Sequence, residues 1–121
     1  SWRDAVKKFL YACCYGEKNG IAVLTIEEQQ LIFKRLSKES YQMFRQKQLR
    51  LFGEILENFG IKADAARINL FTNLSLTAMV VRKAIPDTLP LFVSEVADET
   101  VDFQINAIVD ALEKLKATPT A

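Results

Sequence analysis

The chain contains no histidine. That removes the commonest metal ligand and the commonest general base, so histidine-ligated zinc, Ser-His and Cys-His catalysis are excluded. There are two cysteines, and they are neighbours, Cys13 and Cys14. A bridge between adjacent residues is strained, so the pair founds no disulfide framework. They read as reduced thiols of a cytoplasmic protein, at least one packed as a small hydrophobe. A metal or redox role would need further soft ligands, and the chain offers none. Long apolar runs are lacking too. The longest, Leu74 to Val81, is interrupted by Ser75 and Thr77, whereas a spanning helix needs roughly 20 mostly apolar residues. No membrane partner is expected.

Nor is there an excess of either charge. Sixteen Lys and Arg against fifteen Asp and Glu leave a net charge of +1. A nucleic-acid-binding domain normally declares itself by a basic surplus on one face. Here only Arg45, Lys47 and Arg50 form a locally basic stretch, which reads as a solvated helix face. The chain has no Gly-rich phosphate loop and no nucleophile elbow. Its close carboxylates, Glu27 with Glu28, and Asp98 with Glu99 and Asp102, fall at helix starts, where acids favour the positive end of the dipole. The expectation is a non-enzyme with no cofactor and no metal.

What remains is apolar and aromatic. Half of the 121 residues are hydrophobic, including eight Phe, three Tyr and one Trp. That is too apolar for a disordered chain, and the length suits a single domain over residues 1–121. The first residue is Ser, and no signal-peptide pattern follows it. The chain reads as a fragment or a processed product.

The pattern predicts an all-α bundle of about five helices. Ser1 with Asp4 is an N-capping signature, and Val6, Phe9, Leu10 and Cys13 line one face of the helix that follows, as far as Gly16. Thr25 and Glu28 form a capping box for a second, shorter helix through Leu31, Ile32 and Leu36. The run Ser37 to Ser40 reads as a break or a bend. A third helix carries Tyr41, Phe44, Gln48, Leu51, Phe52, Ile55, Leu56 and Phe59 on one side and ends at Gly60. The fourth, about Ala63 to Ala84, is apolar nearly all round and must be covered on several sides. Pro86 and Pro90 predict a loop, with Leu89, Leu91 and Phe92 packing over an edge. The fifth runs from near Asp98 to Ala117, and the tail beyond it is expected to fray.

Two features point to function. Polar groups sit inside aromatic faces: Tyr41, Phe44, Gln48 and Phe52 on the third helix, Asn69, Phe71, Thr72 and Asn73 on the fourth, with Phe9 and Cys13 on the first. Such a set serves either as an ordinary aromatic core or as the wall of a pocket that orients a small hydrophobic or amphipathic effector. The second feature is surplus apolar surface on the last two helices, at Leu76, Val80, Ile105, Ile108, Val109, Leu112 and Leu115. It either packs within the chain or forms an intermolecular four-helix interface in a homodimer.

The order of elements resembles the C-terminal regulatory domain of TetR-family transcriptional regulators. Ser1-Trp2-Arg3-Asp4-Ala5-Val6 resembles the segment after that family's DNA-binding headpiece. Phe59-Gly60-Ile61 with Ala63 to Arg67 resembles the turn into its penultimate helix. Phe103 to Leu112 is similar to its last, dimerising helix, where Gly is frequent at the position of Ala111. The resemblance implies that the last two helices pair across a twofold axis and that the central helices enclose an inducer. It also implies that DNA is read only through a helix-turn-helix headpiece missing from this chain. A non-catalytic helical protein-protein interaction module is the other reading.

Overall fold

A computed structural model describes residues 1–16, 25–87 and 92–117. The first four α-helices each begin where a side chain takes up orphan amides. Ser1 Oγ accepts from the Asp4 amide at 3.2 Å and opens α1, Trp2–Cys14. Thr25 and Glu28 satisfy each other's backbone N–H at 3.1 Å in a capping box that opens α2, Ile26–Arg35. Ser37 Oγ accepts from the Ser40 amide at 3.1 Å and opens α3, Lys38–Asn58. The serine run is therefore a helix start, and only Leu36 and Ser37 separate α2 from α3. The Asp64 carboxylate accepts from the Arg67 amide at 2.9 Å and pairs with its guanidinium at the start of α4, Ala65–Asp87. A 3-10 turn, Ser94–Val96, leads into α5, Ala97–Ala117. Asp98 and Glu99 in the first turn of α5, and Lys114 and Lys116 in its last, both suit the helix dipole.

Gly60 ends α3 in a Schellman motif. The Ile61 amide donates to the Leu56 carbonyl at 3.2 Å and the Gly60 amide to that of Glu57 at 2.8 Å. Gly60 takes φ +76°, and Ile61 and Leu56 are both buried. This is the arrangement in which glycine carries no steric penalty and the flanking apolar pair meets. Pro86 corrects the sequence reading, because α4 continues through it to Asp87. Near a helix end, a proline costs one backbone bond without stopping the turn already formed. Pro90, Leu89 and Leu91 lie outside the described residues, as do 118–121. Phe92 is half exposed rather than packed over an edge.

Helix α4 lies at the centre and packs against α1, α3 and α5, while α1 also packs on α5. This explains its poor amphipathicity, since three neighbours cover three sides and leave Ala66, Asn69, Leu70, Asn73 and Thr77 exposed. The core joins Val6 and Leu10 of α1, Leu56 of α3, Phe71 and Ala78 of α4, and Val101, Ile105, Ile108, Val109 and Leu112 of α5. The ring of Phe71 stands 5.8 Å from that of Phe9 and 5.6 Å from that of Phe52. Gly53 permits α3 and α4 to approach closely, since a Cβ there would lie 3.2 Å from Ile68 Cδ1.

Polar contacts fasten α1 to its surroundings. Trp2 Nε1–H donates to the Phe59 carbonyl at 2.6 Å, and the Lys116 ammonium lies 4.8 Å over the indole. Arg3 bridges Asp110 at 2.7 Å and Glu113 at 3.2 Å on α5. Tyr11 and Tyr15 donate their hydroxyls to Asp102 and Asp98, at 2.7 and 3.0 Å. The hydrogen bond to Asp102 pushes the Tyr11 hydroxyl up to about 12, and burial with the Asp98 bond does the same for Tyr15. Both remain donors across the physiological range. No helix among the described residues is long and apolar enough to cross a membrane.

Candidate functional site

The first half of α3 leaves the core. Every residue from Lys38 to Lys47 is exposed, including Tyr41, Met43 and Phe44. What holds this half to α2 is aromatic: the Phe33 ring meets Tyr41 edge-on at 5.6 Å and Phe44 at 6.3 Å. The resulting α2–α3 hairpin stands beside α4, and a cleft runs between the three helices.

Two stripes at helical spacing face each other there. Tyr41, Phe44 and Gln48 come from α3, and Asn69, Thr72, Asn73 and Leu76 from α4. They bound a space of about 310 Å³ together with Phe33, Arg45 and Leu49. An adjoining space of about 530 Å³ is lined by Ile32 of α2, Leu36 just after that helix and Met79 of α4, with Gln29 at its side. The two share Phe33, Phe44, Gln48 and Leu76, so they are parts of one cleft. One end mixes polar and apolar groups about evenly, and the other is mostly apolar. Thr72 Oγ1 donates to the Ile68 carbonyl at 2.7 Å, so its hydroxyl hydrogen is already used within α4.

The structure sorts the expected pocket residues into two groups. Tyr41, Phe44, Gln48, Asn69, Thr72 and Asn73 meet at the cleft. Phe52 and Phe71 are core, and Phe9 packs against the core between Phe59 and Phe71. Cys13 is half-buried on α1 and does not line the cleft. These four lie outside the cleft lining, and the three phenylalanines pack against other helices of the same chain.

Of the residues expected at a dimer face, Ile105, Ile108, Val109 and Leu112 are at most 4% exposed within the chain. Their stripe is wide because α5 touches both α1 and α4. Leu76 lines the cleft, one turn beyond Thr72, while Val80 and Leu115 are partly exposed.

Sequence reasoning missed Phe33, Arg45, Leu49 and Met79. Gln29, Ile32, Phe33 and Leu36 recur at helical spacing on α2, a signal that could have marked that helix as a wall. Arg45 is indeed exposed, as a solvated-face residue should be, but it also lies against the polar end of the cleft.

The thiols are poor nucleophiles. Burial pushes both Cys13 and Cys14 from 9.0 up to about 11. Since the thiolate is the reactive form, its population at neutral pH falls about a hundredfold. Labelling of the native chain by a thiol-selective disulfide reagent is expected to be slower by about that factor than labelling of the denatured chain. Equal rates would contradict this placement. Among the described residues no group of three His, Cys, Asp or Glu could hold a metal ion. No family model, curated protein or solved structure matches the chain.

Proposed function

We propose that this chain is a non-catalytic, effector-sensing and dimerising regulatory domain of a TetR-like transcriptional regulator. In this reading the cytoplasmic parent protein reads DNA through a separate helix-turn-helix headpiece. The observation that carries the reading is the cleft between α2, α3 and α4, with aromatic walls and a few hydrogen-bonding groups. That is the usual make-up of a small-molecule site between bundle helices.

The packing suggests how binding could be felt elsewhere. Helix α4 is clamped by α1, α3 and α5, whereas α2 meets α3 through the ring of Phe33. A ligand bridging the hairpin and α4 would favour one hairpin position over another. It regulates only if its affinity differs between the two positions. Homodimer pairing would fall to side chains the chain leaves uncovered, such as Phe103 and Ala107 on α5 and Leu70 on α4.

A helical protein-protein interaction module is favoured by a different observation. Leu31, Met43 and Leu51 are each more than half exposed outside the cleft lining, and apolar side chains displayed in this way suit a partner surface.

A thermal-shift screen of small hydrophobic and amphipathic compounds, run beside light scattering, separates the two. A ligand at 100 times its dissociation constant is expected to add about 2.7 kcal/mol, or roughly 10 °C in Tm for a domain of this size. A dimer that responds to ligand supports the regulator. A strict monomer at tens of micromolar, with no response across the screen, overturns it in favour of the module.

A further inference from the structure

The cleft is asymmetric along its length, and the asymmetry names a ligand chemistry. At one end lie Arg45, Asn69 and Asn73. At the other lie Ile32, Leu36 and Met79. Phe33, Phe44, Gln48 and Leu76 belong to both. Arg45 is the one charged residue that lines either part, so the polar end is positive and nothing acidic balances it within the lining. Among the described residues Arg45 makes no ion pair. The side-chain amides of Gln48, Asn69 and Asn73 are likewise outside the hydrogen bonds that hold the helices together.

Resting on the effector-binding reading above, we propose that the cleft takes an amphiphile with a carboxylate head and an unbranched apolar tail. The head lies against Arg45, whose planar fork matches a carboxylate, and the side-chain amides offer further donors. The tail runs past Phe33, Phe44 and Leu76 into the space bounded by Ile32, Leu36 and Met79. The combined volume falls in the range that small-molecule sites occupy. A cationic head would face Arg45 directly. A neutral head would gain only the amides.

Calorimetric titration of the folded chain with octanoate, octanol and octylamine tests this, with hexanoate as a shorter acid. Octanoate should bind tightest of the three and octylamine weakest. Each added methylene should raise acid affinity about fourfold, so octanoate should exceed hexanoate by about fifteenfold. The R45Q substitution should weaken octanoate about tenfold and leave octanol unchanged, since a charge-assisted contact at an exposed site is only moderately strong. The K47Q substitution removes a neighbouring exposed charge outside the lining and should leave octanoate binding as it was. Arg45 and Lys47 are both exposed, so neither substitution is expected to disturb the fold.

Equal binding of all three heads, or equal losses in the R45Q and K47Q variants, would overturn the carboxylate assignment and leave the effector reading standing. Binding of none of them, together with no response in the wider screen, would remove both.

Discussion

Replacing Phe71 with alanine is expected to destabilise the fold by about 3–5 kcal/mol, the range for a large aromatic removed from a core. The side chain is fully buried in the first half of α4, with Phe9 of α1 and Phe52 of α3 against its ring. Its removal leaves a void that helices from both sides line, and α1 cannot close on it without giving up contacts with α5. Native domains hold only about 5–15 kcal/mol in total, so much of the margin would go. Urea unfolding should show a lower midpoint with an unchanged slope. Phe44→Ala is the contrast. Its ring is half exposed at the cleft, and the loss should stay near 1 kcal/mol. Equal losses at the two positions would mean that the three helices do not meet on Phe71.

Those two phenylalanines also show what was legible in the sequence and what was not. The helices were, because their caps are local: Ser1, Thr25 with Glu28, and Gly60 act within a few residues of chain. The stripes were legible as stripes. Where along a helix a stripe is covered was not. Phe44 and Phe52 are eight residues apart on one face of α3, about 12 Å along its axis. Periodicity treats them alike, yet one lies in the core and the other at the edge of an open cleft, because α1 reaches only the second half of the helix's face through Phe9, Phe59 and Phe71. The same blindness affected α5. A stripe wide enough for two neighbours reads as surplus unless both neighbours are known to lie in the same chain. Arg45 was lost for the opposite reason, since an exposed cation on a helix gives no sign that a cleft opens beside it.

Helix α5 supplies a sharper comparison, because residues two apart on a helix point to nearly opposite sides. Ile105 is fully buried, and Phe103 is 81% exposed. Ile105→Asp places a carboxylate among Val101, Val109 and other apolar core residues, with no partner to compensate its desolvation. A loss of more than about 4 kcal/mol is expected, most of the margin for a domain at the low end of the usual range. Phe103→Asp adds the same group where water already reaches. It should cost less than about 1 kcal/mol, mostly from repulsion by Glu99 one turn before it. Circular dichroism would read the fold and light scattering the mass. A folded Ile105→Asp variant would reverse the assignment of that residue to the core. If wild type is dimeric and Phe103→Asp is folded but monomeric, copies pair through the outer side of α5, which is how a regulator of this kind would need to present two reading heads. If Phe103→Asp stays dimeric, the pairing surface lies elsewhere. The exposed apolar residues of the α2–α3 hairpin then become its natural place, and the interaction-module reading gains over the effector-sensing one.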